Sequence, residues 1–139
     1  MKPKLTFVDA SVLIAAARGS DEVSALAMET LDDPNRTFAS SVFVRLEVLP
    51  KAVFHKRRAE ADFYRAFFGK VVRWARPTDN LLRRAYHDAV YSGLSAIDAL
   101  HVAAAKLVQA AELVTAEKSD SPLCRCSSIR VRTIRPPLS

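Results

Sequence analysis

The chain has 139 residues, half of them apolar, which suits one hydrophobic core and excludes an intrinsically disordered protein. It carries 21 Lys and Arg against 15 Asp and Glu, and the formal net charge of +6 favours an anionic partner such as a nucleic acid, unless it only aids solubility. Three glycines are too few for a β-rich protein full of tight turns. We expect one domain over residues 1–139.

The cysteines and the start of the chain indicate a cellular compartment. Cys124 and Cys126 are too close for an unstrained disulfide, and two thiols without further ligands do not make a zinc site. The first ten residues, MKPKLTFVDA, lack the long apolar segment of a secretory signal. These features predict a cytoplasmic protein with reduced thiols and no membrane contact.

Short apolar runs that alternate with helical patterns predict a parallel sheet with helices on both faces. The predicted strands are Leu5–Val8, Thr37–Ala39, Val71–Trp74, Glu112–Thr115 and Ile129–Ile134. The predicted helices are Ser11–Ala17, a segment bearing Val23 and Leu31, the run VFVRLEVLPKAVF, Ala59–Phe68, Asn80–Tyr91 and Ser95–Ala111.

Two of these helices carry residue-level expectations. In the run VFVRLEVLPKAVF, we expect Pro50 to kink or end the helix. In the helix before Gly93, we expect the apolar stripe to be formed by Leu82, Ala85, Tyr86, Ala89 and Val90.

The segment Ser95–Ala111 is apolar nearly all round, which places it in the middle of the fold. Asp98 nevertheless lies in its first turn. One interpretation is a capping box, in which Asp98 reaches back to the Ser95 N–H. The other is a metal ligand at the start of a core helix, since a carboxylate near the centre of a protein needs partners or a cation.

Three further acids stand at informative positions. Asp9 follows the first strand and is either an N-cap or a site residue, although Ser11 could cap the helix equally well. Glu47 lies among apolar residues and is either a site residue or an exposed Glu paired with Lys51 at i+4. Glu117 follows the fourth strand. If the first and fourth strands are neighbours, Asp9 and Glu117 emerge at the same edge of the sheet.

A set of carboxylates at one sheet edge predicts a metal site. Four such charges repel strongly in a low dielectric, so the set makes little structural sense without cations. Oxygen-only ligands favour Mg²⁺ or Mn²⁺ over zinc, and the three histidines are scattered at positions 55, 87 and 101. This chemistry suits phosphodiester hydrolysis. There is no Gly-rich phosphate loop and no second Asp two residues after Asp9, as a haloacid-dehalogenase-type phosphatase would have.

Four motifs, FVDASVLIA, VRLEVLPK, GLSAIDALHVAAA and LVTAEKS, follow one another over nearly the whole chain. In this order they resemble the PIN-domain ribonucleases of the VapC toxin type. The resemblance implies a three-layer α/β/α sandwich with a mostly parallel five-stranded sheet. It also implies metal-dependent cleavage of RNA with Mg²⁺ or Mn²⁺, a homodimer, and inhibition by a small VapB-type antitoxin that docks near the active site.

Carried over by motif position, the resemblance makes Asp9, Glu47 and Asp98 the metal-site acids. The fourth acid normally falls two residues after the Thr of LVT and is usually Asp. Here that position is Glu117, one methylene longer, and Asp120 is the other candidate. This departure leaves the occupancy of a second metal open.

Further residues receive supporting roles. Ser11 and Thr115 are able to hydrogen-bond the carboxylates, or are an ordinary cap and strand end. His101 either approaches the acidic rim or is a packed core histidine. The expected substrate contacts are Arg45, Lys56, Arg57 and Arg58.

The two helices between the second and third strands have more large apolar residues than one core face needs, so part of their surface is expected to bind a second copy or the antitoxin. These residues are Val44, Val48, Phe54, Phe63, Phe67 and Phe68. Two other functions stay open: a housekeeping PIN nuclease acting on RNA or DNA, and a catalytically weak RNA-binding module.

Overall fold

The computed structural model of the protein describes residues 2–137. Its strands are β1 (Lys4–Val8), β2 (Arg36–Ser41), β3 (Arg73–Ala75), β4 (Glu112–Thr115) and β5 (Val131–Thr133). Its helices are α1 (Ala10–Arg18), α2 (Glu22–Leu31), α3 (Val42–Phe54), α4 (Arg58–Lys70), α5 (Asp79–Ser92) and α6 (Ala96–Leu107). Every predicted strand and helix is present; β4 and α3 have the predicted bounds, and the other elements have shifted ends. The largest shift is in α6, which ends at Leu107 because Gln109 turns the chain with a positive φ of 58°.

The five strands form one sheet in the order β3-β2-β1-β4-β5, and every neighbouring pair is parallel. The predicted α/β fold with a parallel five-stranded sheet is therefore confirmed. The chain builds outward from β1 to β3 and then returns to place β4 on the other side of β1, where Val8 pairs with Val114. The strand order thus reverses between β1 and β4, and such a switch point opens a crevice at the carboxyl ends of the strands.

The core lies on both faces of the two central strands. Phe7, Val8 and Leu113 are fully buried, as expected for parallel strands covered by helices on each side. Helix α6 buries six of its twelve residues, from Ala99 to Ala105, which confirms its predicted central position. Its first turn therefore stands at a fixed place beside the sheet.

Helix α3 does not end at Pro50, although an end there is one of the two outcomes expected. The helix continues through Pro50 to Phe54. Proline cannot donate to the carbonyl group of Leu46, one turn earlier. Leu46 is 61% exposed and Pro50 is exposed as well, so this unpaired carbonyl lies on the water side of the helix, where hydration replaces the lost bond.

Helix α5 presents a different face from the predicted one. Its buried residues are Leu81, Ala85 and Asp88. Leu82, Tyr86 and Val90, expected in the core, are 50%, 76% and 62% exposed. Of the predicted stripe, Ala85 is buried and Ala89 is partly buried. The buried face also contains Asp88, whose carboxylate is neutralised by Lys106 of α6 at 3.0 Å.

The prediction that α3 and α4 expose an apolar surface is largely wrong. Four of its six residues are in the core, and Phe63 is partly buried against it. These four are Val44, Val48, Phe67 and Phe68. Phe54 alone of the six is exposed, at 79%. Of the helices between residues 2 and 137, none combines the length and apolar character that crossing a membrane requires.

Candidate acidic metal site

Asp9 stands at the carboxyl end of β1 and is 3% exposed. Its Oδ1 caps α1 by accepting the N–H groups of Ser11 at 3.1 Å and Val12 at 3.4 Å. The alternative in which Ser11 caps this helix is therefore wrong, because Asp9 occupies the extended position directly before the first helical residue. The Ser11 hydroxyl instead donates to Asp9 Oδ1 at 2.5 Å.

Two hydroxyl groups join Asp9 to the loop after β4. Thr115 Oγ1 donates to Asp9 Oδ2 at 2.6 Å and accepts the Glu117 N–H at 3.1 Å. Ser11 Oγ accepts the Ala116 N–H at 2.8 Å. The pairing of β1 with β4 makes these contacts, since it sets the ends of the two strands side by side. Ser11 and Thr115 thus contact a carboxylate as expected, and in both cases that carboxylate is Asp9.

Asp98 lies in the first turn of α6, with its side chain half-buried. Ser95 is the N-cap, and its hydroxyl accepts the Asp98 N–H at 3.3 Å. The predicted return contact from the Asp98 carboxylate to the Ser95 N–H is not among the hydrogen bonds of the described residues. Burial raises the pKa of Asp98, and the negative charge of Glu47 raises it further. The Ser95 hydroxyl and His101 oppose this rise.

Glu47 reaches the same region from α3. Its Oε1 lies 2.5 Å from Nε2 of His101, so its partner is this ring instead of Lys51 at i+4. His101 is 2% exposed, and its ring centroid lies 6.1 Å from that of Phe7. His101 therefore satisfies both interpretations: it is packed in the core, and it contacts an acid of the rim.

Glu117 begins the loop that follows β4. Burial raises its pKa, and the charges of Asp98 and then Asp9 add to the rise. The last strand fixes this loop, because Thr133 Oγ1 donates to the Glu117 carbonyl and Arg135 Nε donates to the Ala116 carbonyl. Asp120, the other candidate for a fourth acid, lies further along the loop and is exposed.

The acids therefore share one electrostatic environment at the crevice between β1 and β4. Burial raises the pKa of Asp9, Asp98 and Glu117, and neighbouring carboxylates add to the shift of the last two. Like charges that raise each other's pKa are relieved by a cation.

The donor set fits Mg²⁺ or Mn²⁺ by its chemistry, since Asp9, Glu47, Asp98 and Glu117 offer only carboxylate oxygens. Within residues 2–137, however, no three Asp, Glu, His or Cys side chains converge as closely as a bound ion needs. A cation would have to draw these side chains together.

The predicted basic run Lys56–Arg58 lies apart from Asp9. Arg45 and the run Lys56–Arg58 are exposed. Glu60, two residues after this run, pairs with Arg18 at 3.4 Å. Arg18 is the last residue of α1, about 12 Å along the helix axis from its first residue. The basic run therefore lies near the end of α1 remote from Asp9.

The structure adds three residues that the sequence analysis did not assign to the site. A groove of about 590 Å³ runs beside Ser11 and Glu117, and Lys118 and Arg135 line it. Cys124 lies close enough that the charges of Glu117, Asp9 and Asp120 add to the rise that burial causes in its thiol pKa. Both cysteines are free, as predicted. Lys118 adjoins Glu117 in the chain and could have been predicted as a site residue from that position. Nothing in the local sequence around Arg135 or Cys124 indicates that they lie near the acids.

Comparison with known proteins gives a consistent result. A model of the PIN domain matches residues 6–119. No relative of this sequence is found among curated proteins. A toxin–antitoxin complex from Klebsiella pneumoniae has a similar fold, with a TM-score of 0.72 and 19% identity over 94% of this chain and 98% of that one.

Two further solved structures are similar in fold. VapBC2 from Rickettsia felis, bound to a DNA fragment from its promoter, has a TM-score of 0.69 and 14% identity over 93% of this chain and 98% of that one. VapC20 from Mycobacterium tuberculosis, a toxin that cleaves the sarcin–ricin loop, has a TM-score of 0.68 and 19% identity over 90% of this chain and 98% of that one. At these identities the likeness is one of fold.

Proposed function

The chain belongs to the PIN domain family, and from this membership and the acid site we propose that it is a metal-dependent endoribonuclease, the toxin of a VapBC-type pair. The observation that carries the proposal is the arrangement around Asp9. A buried carboxylate is held there by two hydroxyl groups at a strand switch point, and its charge adds to the raised pKa of Glu117. Burying like charges close to one another costs free energy, and such clusters are typical of functional sites.

Asp9, Glu47, Asp98 and Glu117 would hold Mg²⁺ or Mn²⁺. Such an ion, when bound, activates a water molecule and neutralises charge on a phosphodiester in line for displacement. Ser11 and Thr115 would fix the direction of the Asp9 carboxylate, and their hydroxyl groups oppose the rise in its pKa that burial causes.

The basic residues would bind the sugar–phosphate backbone of the RNA. Lys118 and Arg135 line the groove beside Glu117, where they would meet the phosphates on either side of the scissile bond. Arg45 and the run Lys56–Arg58 would contact the same polymer further away, because an RNA strand extends well beyond the acids.

RNA cleavage by the purified chain, free of any antitoxin, tests the proposal. A mixed RNA substrate is incubated with the protein in Mg²⁺, in Mn²⁺ and in EDTA, beside an Asp98→Asn variant. Asp62→Asn is the matched control, since Asp62 is an exposed residue of α4. We expect cleavage by the wild type and the control in either metal, and none in EDTA or by Asp98→Asn, with each variant checked to be folded.

Other outcomes point elsewhere. Equal cleavage by the wild type and Asp98→Asn would contradict the assignment of the acids. If no RNA is cut and calorimetry detects no Mn²⁺ binding, the chain is the catalytically weak RNA-binding module. Cleavage of DNA at a similar rate, or a gene neighbourhood without a short antitoxin gene, would favour a housekeeping nuclease.

We also propose a homodimer that is inhibited by a small VapB-type antitoxin. The support is the stripe of Leu82, Tyr86, Val90 and Tyr91 on α5, all at least half exposed, which is apolar surface of the kind that protein partners cover. Light scattering of the purified chain is expected to give the mass of a dimer. A wild-type chain with the mass of a monomer, equal to the mass measured for the Tyr86→Lys variant, would contradict this assignment.

A further inference from the structure

We propose that His101 is a positioning residue whose Nε2–H holds the Glu47 carboxylate beside Asp98 for cation binding, an inference that rests on the proposed function. The motivating contact joins two helices that are far apart in the chain. His101 Nε2 on α6 lies 2.5 Å from Glu47 Oε1 on α3.

The chemistry of the pair assigns the proton. An ionised carboxylate only accepts hydrogen bonds, so Nε2 of His101 is the donor. The other ring nitrogen, Nδ1, is buried without a hydrogen-bond partner among the described residues. The single polar contact of this ring is therefore the one to Glu47, and no competing contact turns the ring away.

The position of His101 fixes where Glu47 is held. His101 follows Asp98 by three residues on α6, so the two side chains share one face of the helix. The ring is 2% exposed and packs near Phe7 of β1, which prevents it from rotating toward solvent. Glu47 itself is 35% exposed, and a glutamate of that exposure would otherwise sample many rotamers.

This contact leaves Glu47 Oε2 free to serve as a ligand. A histidine or carboxylate partner that orients a metal ligand commonly raises metal affinity, and its loss weakens binding about 10- to 100-fold. The positioning role makes a specific claim: the effect of His101 passes through Glu47 and disappears when Glu47 is absent.

Calorimetric titration of the metal-free protein with Mn²⁺ tests this claim. We expect His101→Leu to weaken Mn²⁺ binding about 10- to 100-fold. His101→Gln places an amide N–H near the position of Nε2 and is expected to recover most of the loss. His87→Leu is the control, because His87 is exposed on α5. In a Glu47→Ala background, His101→Leu should cause no further loss, because the two residues act as one unit.

A second readout needs no metal. The ¹⁵N spectrum of the ring in EDTA should show the Nε2-protonated tautomer of His101, with a shift that changes in Glu47→Ala. This measurement decides the proposal on the wild type even if His101→Leu fails to fold. Protonation of Nδ1 alone, or equal Mn²⁺ affinity in wild type and His101→Leu, would overturn the positioning role and leave the nuclease proposal standing. A wild type that binds no Mn²⁺ would overturn both.

Discussion

Replacing Thr115 with valine removes the hydroxyl group that joins Asp9 to the loop after β4 but keeps the shape of the side chain. The side chain is fully buried, donates to Asp9 Oδ2 at 2.6 Å and accepts the Glu117 N–H at 3.1 Å. A hydrogen bond to a charged group contributes about 1.5–3 kcal/mol, and an unpaired buried N–H costs about 1–3 kcal/mol. We expect Thr115→Val to lower the free energy of unfolding by about 3 kcal/mol.

Urea unfolding in EDTA measures this change without any metal contribution. With an m value of about 2 kcal/mol/M, the midpoint should fall by about 1.5 M. Thr115→Ser keeps the hydroxyl group and should lose about 1 kcal/mol for the missing methyl group. Thr37→Val is the control, since Thr37 is half-buried in β2 and pairs with Leu5, toward the end of β1 remote from Asp9. A loss below about 1 kcal/mol in Thr115→Val would refute the view that this hydroxyl supports Asp9.

Three more outcomes follow from the structure. Glu117→Gln should abolish RNA cleavage while Asp120→Asn retains it, because Glu117 lies in the field of the other acids and Asp120 is exposed; equal activity of both variants would contradict this. Burial raises the pKa of three site acids, so protons compete with the cation, and the rise in melting temperature caused by Mn²⁺ should be larger at pH 8 than at pH 6. In the metal-free protein the pH dependence of stability is reversed. A raised pKa of a carboxyl group in the folded state favours the fold at low pH, and this contribution is lost as the pH rises. Arg36→Met should cost about 2 kcal/mol in urea unfolding, because it removes the 2.7 Å hydrogen bond to the fully buried Glu112 carboxylate and leaves only the more distant Lys4 and Arg130 at 3.9 and 3.5 Å; an unchanged midpoint would contradict it.

The order of the elements could be read from the sequence, because apolar runs and helical stripes are local signals. The strand Glu112–Thr115 has the predicted bounds, and Ser95 is the N-cap of its helix, as the capping box requires. The buried face of α5 could not be read in this way. Asp88 is in the core only because Lys106 of another helix neutralises it, and a long-range partner leaves no mark on the local pattern.

Asp9 and Glu117 could be placed side by side from the sequence, since parallel strands bring their carboxyl ends to one edge. Glu47 and Asp98 lie on helices and are proposed from motif position. The contacts of these acids could not be predicted. Asp9 is both a helix cap and a candidate ligand, two roles that the sequence presented as alternatives. The pairing of Glu47 with His101 depends on how α3 crosses α6. This crossing is set by the packing of side chains between the two helices, which the spacing of residues along the sequence does not reveal.

The hydrogen bond between Thr115 and Asp9 closes a stretch of 106 residues. Contacts between segments so distant form late in folding, because the entropy of closing the chain must be overcome before they add stability. No shorter portion of the chain, and no partly folded state without the β1–β4 pairing, contains an assembled acid site. Loss of this pairing by local opening or by proteolysis would therefore separate Asp9 from Glu117, and the proposed activity would report the population of molecules in which β1 and β4 are paired.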